Sequence, residues 1–105
     1  MKRIYLAGKY NADNIIDCLS NIHDGIKMAV KVLKQGDVPF VPWLDYQFHF
    51  FDPTLTIDDY YRYSMAWLEV SDEVWVLPDS ENSKGTQAEI KRAKELGIPV
   101  IKVVK

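Results

Sequence analysis

The chain is predicted to fold as an α/β protein, with a Rossmann-like or flavodoxin-like parallel sheet of four or five strands flanked by helices. Three observations predict it. Short apolar runs of strand type recur at 3–7, 38–41, 73–77 and 99–103. Longer stretches of helical character separate them. Strand and helix alternate strictly, and that order builds parallel pairs joined by right-handed crossovers.

Each element has its own signals. The first strand, 3–7, is ended by Gly8, and 11–14 is polar loop. A helical pattern then runs to about Gln35, with Ile22, Ile26, Ala29, Val30 and Leu33 expected on one buried face and Gly36 as its stop. The second strand, 38–41, contains Pro39, which has no N–H to donate and points to a strand end or a sheet edge. WLDYQFHFFDP, 43–53, is read as a long aromatic loop. Thr56 can cap a helix that passes through Asp58 and Asp59 to about Val70. After the third strand come a polar turn at 78–82 and a helix over 84–96, closed by Gly97. No repeats, linkers or low-complexity segments interrupt this order, and 105 residues suit one domain, 1–105.

Composition narrows the function classes. A hydrophobic content of 48% with 27% charged residues is that of a globular protein rather than a disordered one. A net charge of −2, with both signs interspersed, argues against a nucleic-acid polymer or an anionic membrane as the main partner. No apolar stretch approaches a membrane span or a signal peptide. The single cysteine, Cys18, allows no internal disulfide and fits a reducing, cytoplasmic setting; it is read as a small buried helix residue rather than a nucleophile. His23 and His49 lack neighbours at ligand spacing, so neither a metal site nor a cofactor is expected.

The segment EVWVLPDSENSKGTQAEIK, 73–91, concentrates the chemistry. It reads as strand, polar loop and helix start. Ser83 stands as N-cap, and Gly85 and Thr86 lie in the first helical turn. Free backbone N–H groups and the positive end of the helix dipole favour an anion there. Glu89 follows one turn later, and a carboxylate beside an anion pocket is electrostatically costly, which suggests chemistry. Spacing alone leaves open that Ser83 only caps and that Glu89 is solvated. In a parallel sheet, ligands bind outside the carboxyl ends of the strands. That rule gathers Gly8, Lys9 and Tyr10, the aromatic segment, and the loop before Glu89, with Tyr5 on the first strand facing the same cleft. Trp43, Phe48, Phe50 and Phe51 form either a lid or stacking surface for a planar base, or packing against the sheet or a second subunit.

These residues resemble a known family. KRIYLAGKY at the start, SDEVWVLPDSENSKGTQAEIKRAKELGIPVI at the end and the tyrosine-rich helix between them are similar to the nucleoside 2-deoxyribosyltransferase-like superfamily, in particular its small uncharacterised members. The likeness spans nearly the whole chain except the aromatic segment. Its most specific motif, S-x-G-x-x-x-E, is present as Ser83, Gly85 and Glu89. The resemblance implies cleavage of the N-glycosidic bond of a deoxynucleoside or its 5′-monophosphate. It gives Glu89 the role of nucleophile and Tyr5 that of orienting it. It gives Ser83 and Gly85 the 5′-phosphate, to which the dipole argument adds Gly8, Lys9 and Lys84. Serine at position 83, where transferases of unphosphorylated nucleosides usually carry an acid, favours a phosphorylated ligand. The resemblance also implies a homodimer or larger homo-oligomer, with Tyr60, Tyr61, Tyr63, Met65 and Trp67 offering a face for a partner.

One departure stands out. Active members carry an aspartate eight residues before the one that opens the third strand; here Asp72 opens the strand and Ser64 occupies the acid's place. Serine cannot serve as a general acid. Asp58 and Asp59 are badly placed to substitute. The expectation is an N-glycosidase or deoxyribosyltransferase with impaired turnover, the alternative being a non-enzymatic nucleotide-binding or regulatory protein that uses the same cleft. A further similarity, of Gly85, Thr86 and Glu89 to the G-T-x-x-E of cytokinin-type phosphoribohydrolases, lacks the diglycine that precedes that motif.

Overall fold

The computed structural model describes residues 1–104, and of Leu44 and Tyr46 only the backbone; Lys105 and those two side chains of the aromatic segment lie outside the described residues. Four parallel strands form one sheet in the order β2-β1-β3-β4. They are β1 (Arg3–Ala7), β2 (Val38–Phe40), β3 (Glu73–Val76) and β4 (Val100–Lys102). The helices are α1 (Ile15–Lys34), a short 3-10 turn (Pro42–Asp45), α2 (Tyr46–Phe51), α3 (Ile57–Glu69) and α4 (Lys84–Glu95). The predicted fold class is what the chain adopts, and the predicted boundaries hold to within a residue or so.

Period-two alternation in β1 assigns the two cores. Ile4 and Leu6 face α1 and pack with Ile22, Val32, Val41, Trp43 and Leu77. Tyr5 and Ala7 face the opposite layer and pack with Leu68, Val74, Val76 and Ala93 from α3, β3 and α4. Tyr5 is therefore on the α3–α4 side of the sheet. The strand order reverses between β1 and β3, so their carboxyl ends open a crevice where the two following chains diverge.

The ends of the elements follow their chemistry. Asn14 accepts from the Asp17 N–H to cap α1, and Gly36 leaves it at φ 92°. Thr56 and Asp59 form a reciprocal capping box at α3, which engages Asp59 in the helix start. Asp72 accepts the Arg3 N–H at 2.7 Å, at the amino end of β3 and far from the crevice. Pro39 lies in β2, at one edge of the sheet, as its missing N–H required.

Three expectations are corrected. The segment 43–53 is not a loop: it forms the 3-10 turn and the six-residue α2, because Trp43 buries itself and fixes the turn. The buried face of α1 is also different. Ile22, Gly25 and Val32 are buried with Met28 and Ala29 beside them, whereas Ile26, Val30 and Leu33 are exposed. Helix α1 is apolar on two faces, and the inner one is marked by a glycine that carries no hydrophobic signal. A Cβ at Gly25 would overlap the Trp43 indole, so glycine is what lets that ring dock. Cys18 is half-buried rather than buried, its thiol 3.7 Å from the Ala12 carbonyl.

Candidate functional site

The loops at the carboxyl ends of β1, β2 and β3, together with α3 and the start of α4, enclose a cleft of about 530 Å³. Every predicted site residue except Tyr5 lines it: Gly8, Lys9, Ser64, Ser83, Lys84, Gly85 and Glu89. Tyr5 reaches it from the sheet floor, where it is fully buried and donates its hydroxyl to Glu89 Oε2.

Local structure sets the anion end. Ser83 caps α4 by accepting the Thr86 N–H at 3.2 Å. The following residues present their free N–H groups at the amino end of a twelve-residue helix. A Cβ on Gly85 would meet nothing nearer than the Tyr61 hydroxyl at 3.9 Å. The fold itself therefore does not demand glycine there, and the open space lies on the cleft side. Thr86 is 1% exposed and lines the cleft, and its hydroxyl has no hydrogen-bond partner among the described residues. The Lys9 N–H is taken by the buried Ser80 hydroxyl at 3.1 Å, which ties the β1 loop to the β3 loop. Lys9 can thus address an anion with its exposed ammonium but not with its amide. Asp79 holds the turn between them at φ 61°, a left-handed geometry that aspartate tolerates better than most residues.

The other end of the cleft is buried and acidic. Glu89 is 8% exposed. Burial pushes its carboxyl up to about 8, the Tyr5 hydroxyl pulls it down, and the charge of Asp45 pushes it further up. Desolvation therefore outweighs the Tyr5 hydroxyl in setting the Glu89 carboxyl. The Tyr5 phenol is itself held far above its ordinary value by burial and by the Glu89 charge, so it remains a donor. Ser64 is buried in the same cleft, donates to the Tyr61 carbonyl at 3.4 Å, and lowers the Tyr5 phenol slightly against the larger effect of burial. Position 64, where the resemblance implies an acid, thus lies inside the cleft.

Two residues of the site lie in segments that the sequence already gathered at the cleft, but were not singled out there. Ser80 is one, the stitch between the β1 and β3 loops. Asp45 is the other. It ends the 3-10 turn, is 8% exposed, lines the cleft, and has its carboxyl raised by burial to about 6. The signal was a lone acid inside an aromatic run directly after the second strand, at the ligand-binding end of the sheet. Among the described residues no group of three or more His, Cys, Asp or Glu side chains is placed to hold a metal ion.

Comparison with known proteins agrees with the fold. A family model described as a domain of unknown function, DUF7768, matches residues 2–103. No curated protein matches the chain. Among solved structures, a 2-deoxyribosyltransferase from the psychrotolerant bacterium Bacillus psychrosaccharolyticus superposes with a TM-score of 0.71 at 16% identity, over 98% of this chain and 77% of that one.

Proposed function

This chain belongs to the DUF7768 family, and from the chemistry of its own cleft we propose that it binds a nucleoside 5′-monophosphate and cleaves its N-glycosidic bond through Glu89. The observation that carries the reading is a buried carboxyl that receives a tyrosine hydroxyl in the same cleft into which the amino end of α4 opens. The fold shared with a 2-deoxyribosyltransferase supports the same reaction class. The phosphate sits against Ser83, Lys84 and Gly85, with the Lys9 ammonium across from it beside Gly8, and Thr86 offers an unused hydroxyl. Ionised Glu89 attacks the anomeric carbon opposite the base, and the glycosyl ester it forms is resolved by water or by a second base, as in retaining glycosidases. Tyr5 holds the attacking carboxylate in place. No cofactor takes part. The protein acts as a homodimer or larger assembly.

Calorimetry tests the binding half: nucleoside monophosphates should bind more tightly than the matching nucleosides, and Ser83→Ala should weaken only the former. Equal affinity for both would refute phosphate recognition. Chromatography of base release tests the chemical half, and Glu89→Ala should abolish it. A second reading is favoured by Ser64 and by the burial that raises the Glu89 carboxyl: a nucleotide-binding regulatory protein. Tight binding of a monophosphate with no base release across the panel would establish it instead.

A further inference from the structure

The reaction just described needs a proton for the departing base, and Ser64 cannot supply one. Asp45 is in the same cleft, carried there by a different element. Its turn is anchored by Trp43, which is 3% exposed and wedged between two glycines. A Cβ at Gly25 would overlap the indole, and one at Gly8 would lie 3.3 Å from its Cη2. The turn is therefore held firmly against α1 and β1, and the carboxyl two residues on is presented to the cleft. The same cleft is lined by Tyr10 from the loop after β1, Tyr60 from α3 and Glu89 from α4, with Tyr5 from β1 bonded to Glu89, and the Asp45 charge acts on all four.

Resting on the N-glycosidase reading, we propose that Asp45 is the general acid of this site, taking over from the second strand's loop the task that Ser64 cannot perform. The step balances. A Glu89 oxygen forms the bond to the anomeric carbon while the bond from that carbon to the base nitrogen breaks. The electron pair of the broken bond stays on the base, and the Asp45 proton goes to a ring nitrogen. In the second step Asp45, now a carboxylate, takes the proton of the attacking water as the Glu89 ester opens, which restores both groups. Burial raises both carboxyls, Asp45 to about 6 and Glu89 to about 8, an order that puts the proton on Glu89 at neutral pH before the sugar develops charge. Positive charge developing on the sugar favours that proton on Asp45 rather than on Glu89.

The test compares two substrates with wild type, Asp45→Asn, Asp45→Asn with Ser64→Asp, and Glu89→Ala. One is an ordinary deoxynucleoside 5′-monophosphate, whose base leaves only when protonated. The other is the 4-nitrophenyl glycoside of 2-deoxyribose 5-phosphate, whose leaving group needs no proton. In kcat/KM, which reports the first step alone, Asp45→Asn should lose about 10²–10⁴-fold on the nucleotide and less than about tenfold on the glycoside. Activity on the glycoside also establishes that the variant is folded. Wild type should show a bell-shaped pH profile on the nucleotide and lose only the alkaline limb on the glycoside. Ser64→Asp should restore nucleotide cleavage in the Asp45→Asn background. Equal losses on both substrates, or full retention on the nucleotide, would overturn the assignment of Asp45 while leaving Glu89 as nucleophile. Absence of turnover and of a Glu89 adduct on the glycoside with wild type would overturn both.

Discussion

At the residue scale, Glu89 is a place where the fold works against itself. A carboxyl normally titrating near 4.5 is raised to about 8, mainly by burial. A raised folded-state value means that the favourable neutral form is fully present below the unfolded value. That stability is lost as pH rises toward 8. Glu89→Gln stays neutral and can still accept from Tyr5. It should leave stability nearly unchanged at pH 4 and raise it at pH 8, by an amount on the order of a few kcal/mol. Urea denaturation at the two pH values measures this, and the same offset at both would contradict a buried titrating carboxyl. The S-x-G-x-x-x-E spacing made Glu89, Ser83 and Gly85 legible, because all three lie on one helix start. The Tyr5 contact was legible through resemblance and not through spacing, since 84 residues separate the partners.

At the scale of elements, the sheet and its helices were readable because capping residues and strand runs act locally. Segment 43–53 was not, since its structure depends on Trp43 finding a slot that only Gly25 leaves open. The inner face of α1 was hidden for the same reason: glycine reads as a helix weakener, not as a docking surface. Two opposed effects bear on Gly25→Ala. Alanine improves helix propensity by about 1 kcal/mol. Overlap with the indole costs about 1–3 kcal/mol, and a buried ring has little room to move. The net expectation is a lower melting temperature, with Trp43 fluorescence shifted as the indole leaves its slot. An unchanged or higher melting temperature would show that the ring is not seated there. Asp45 was legible only as one residue of the aromatic segment, because its own place follows from the Trp43 anchor.

For the whole molecule, the topological switch between β1 and β3 decides where the cleft lies, and the alternation in β1 decides which layer Tyr5 serves. Assembly belongs to this scale as well. Phe40 stacks on Trp67 at 5.4 Å, and Phe48 packs edge-on against Tyr63 at 5.5 Å, which carries aromatic surface from the sheet out through α3 to α2. Phe51, 91% exposed, extends it. A second copy covering this face is expected to give a dimer at micromolar concentration in sedimentation equilibrium. Phe51→Glu should shift the population toward monomer without altering the melting curve, because the side chain contributes nothing to the core. A wild-type monomer would count against the assembly.

The sheet's two margins bear on how copies of this chain can meet. Both β2 and β4 are three residues long. The Val38 N–H is spent inward on the Lys2 carbonyl, so position 39 is the one that would offer a donor outward, and there proline offers none. At the β2 margin another chain finds no outward N–H to pair with, and at β4 it finds only three residues. Fibril-like stacking is therefore discouraged by the backbone itself, and any ordered association has to be built from side chains on the helices.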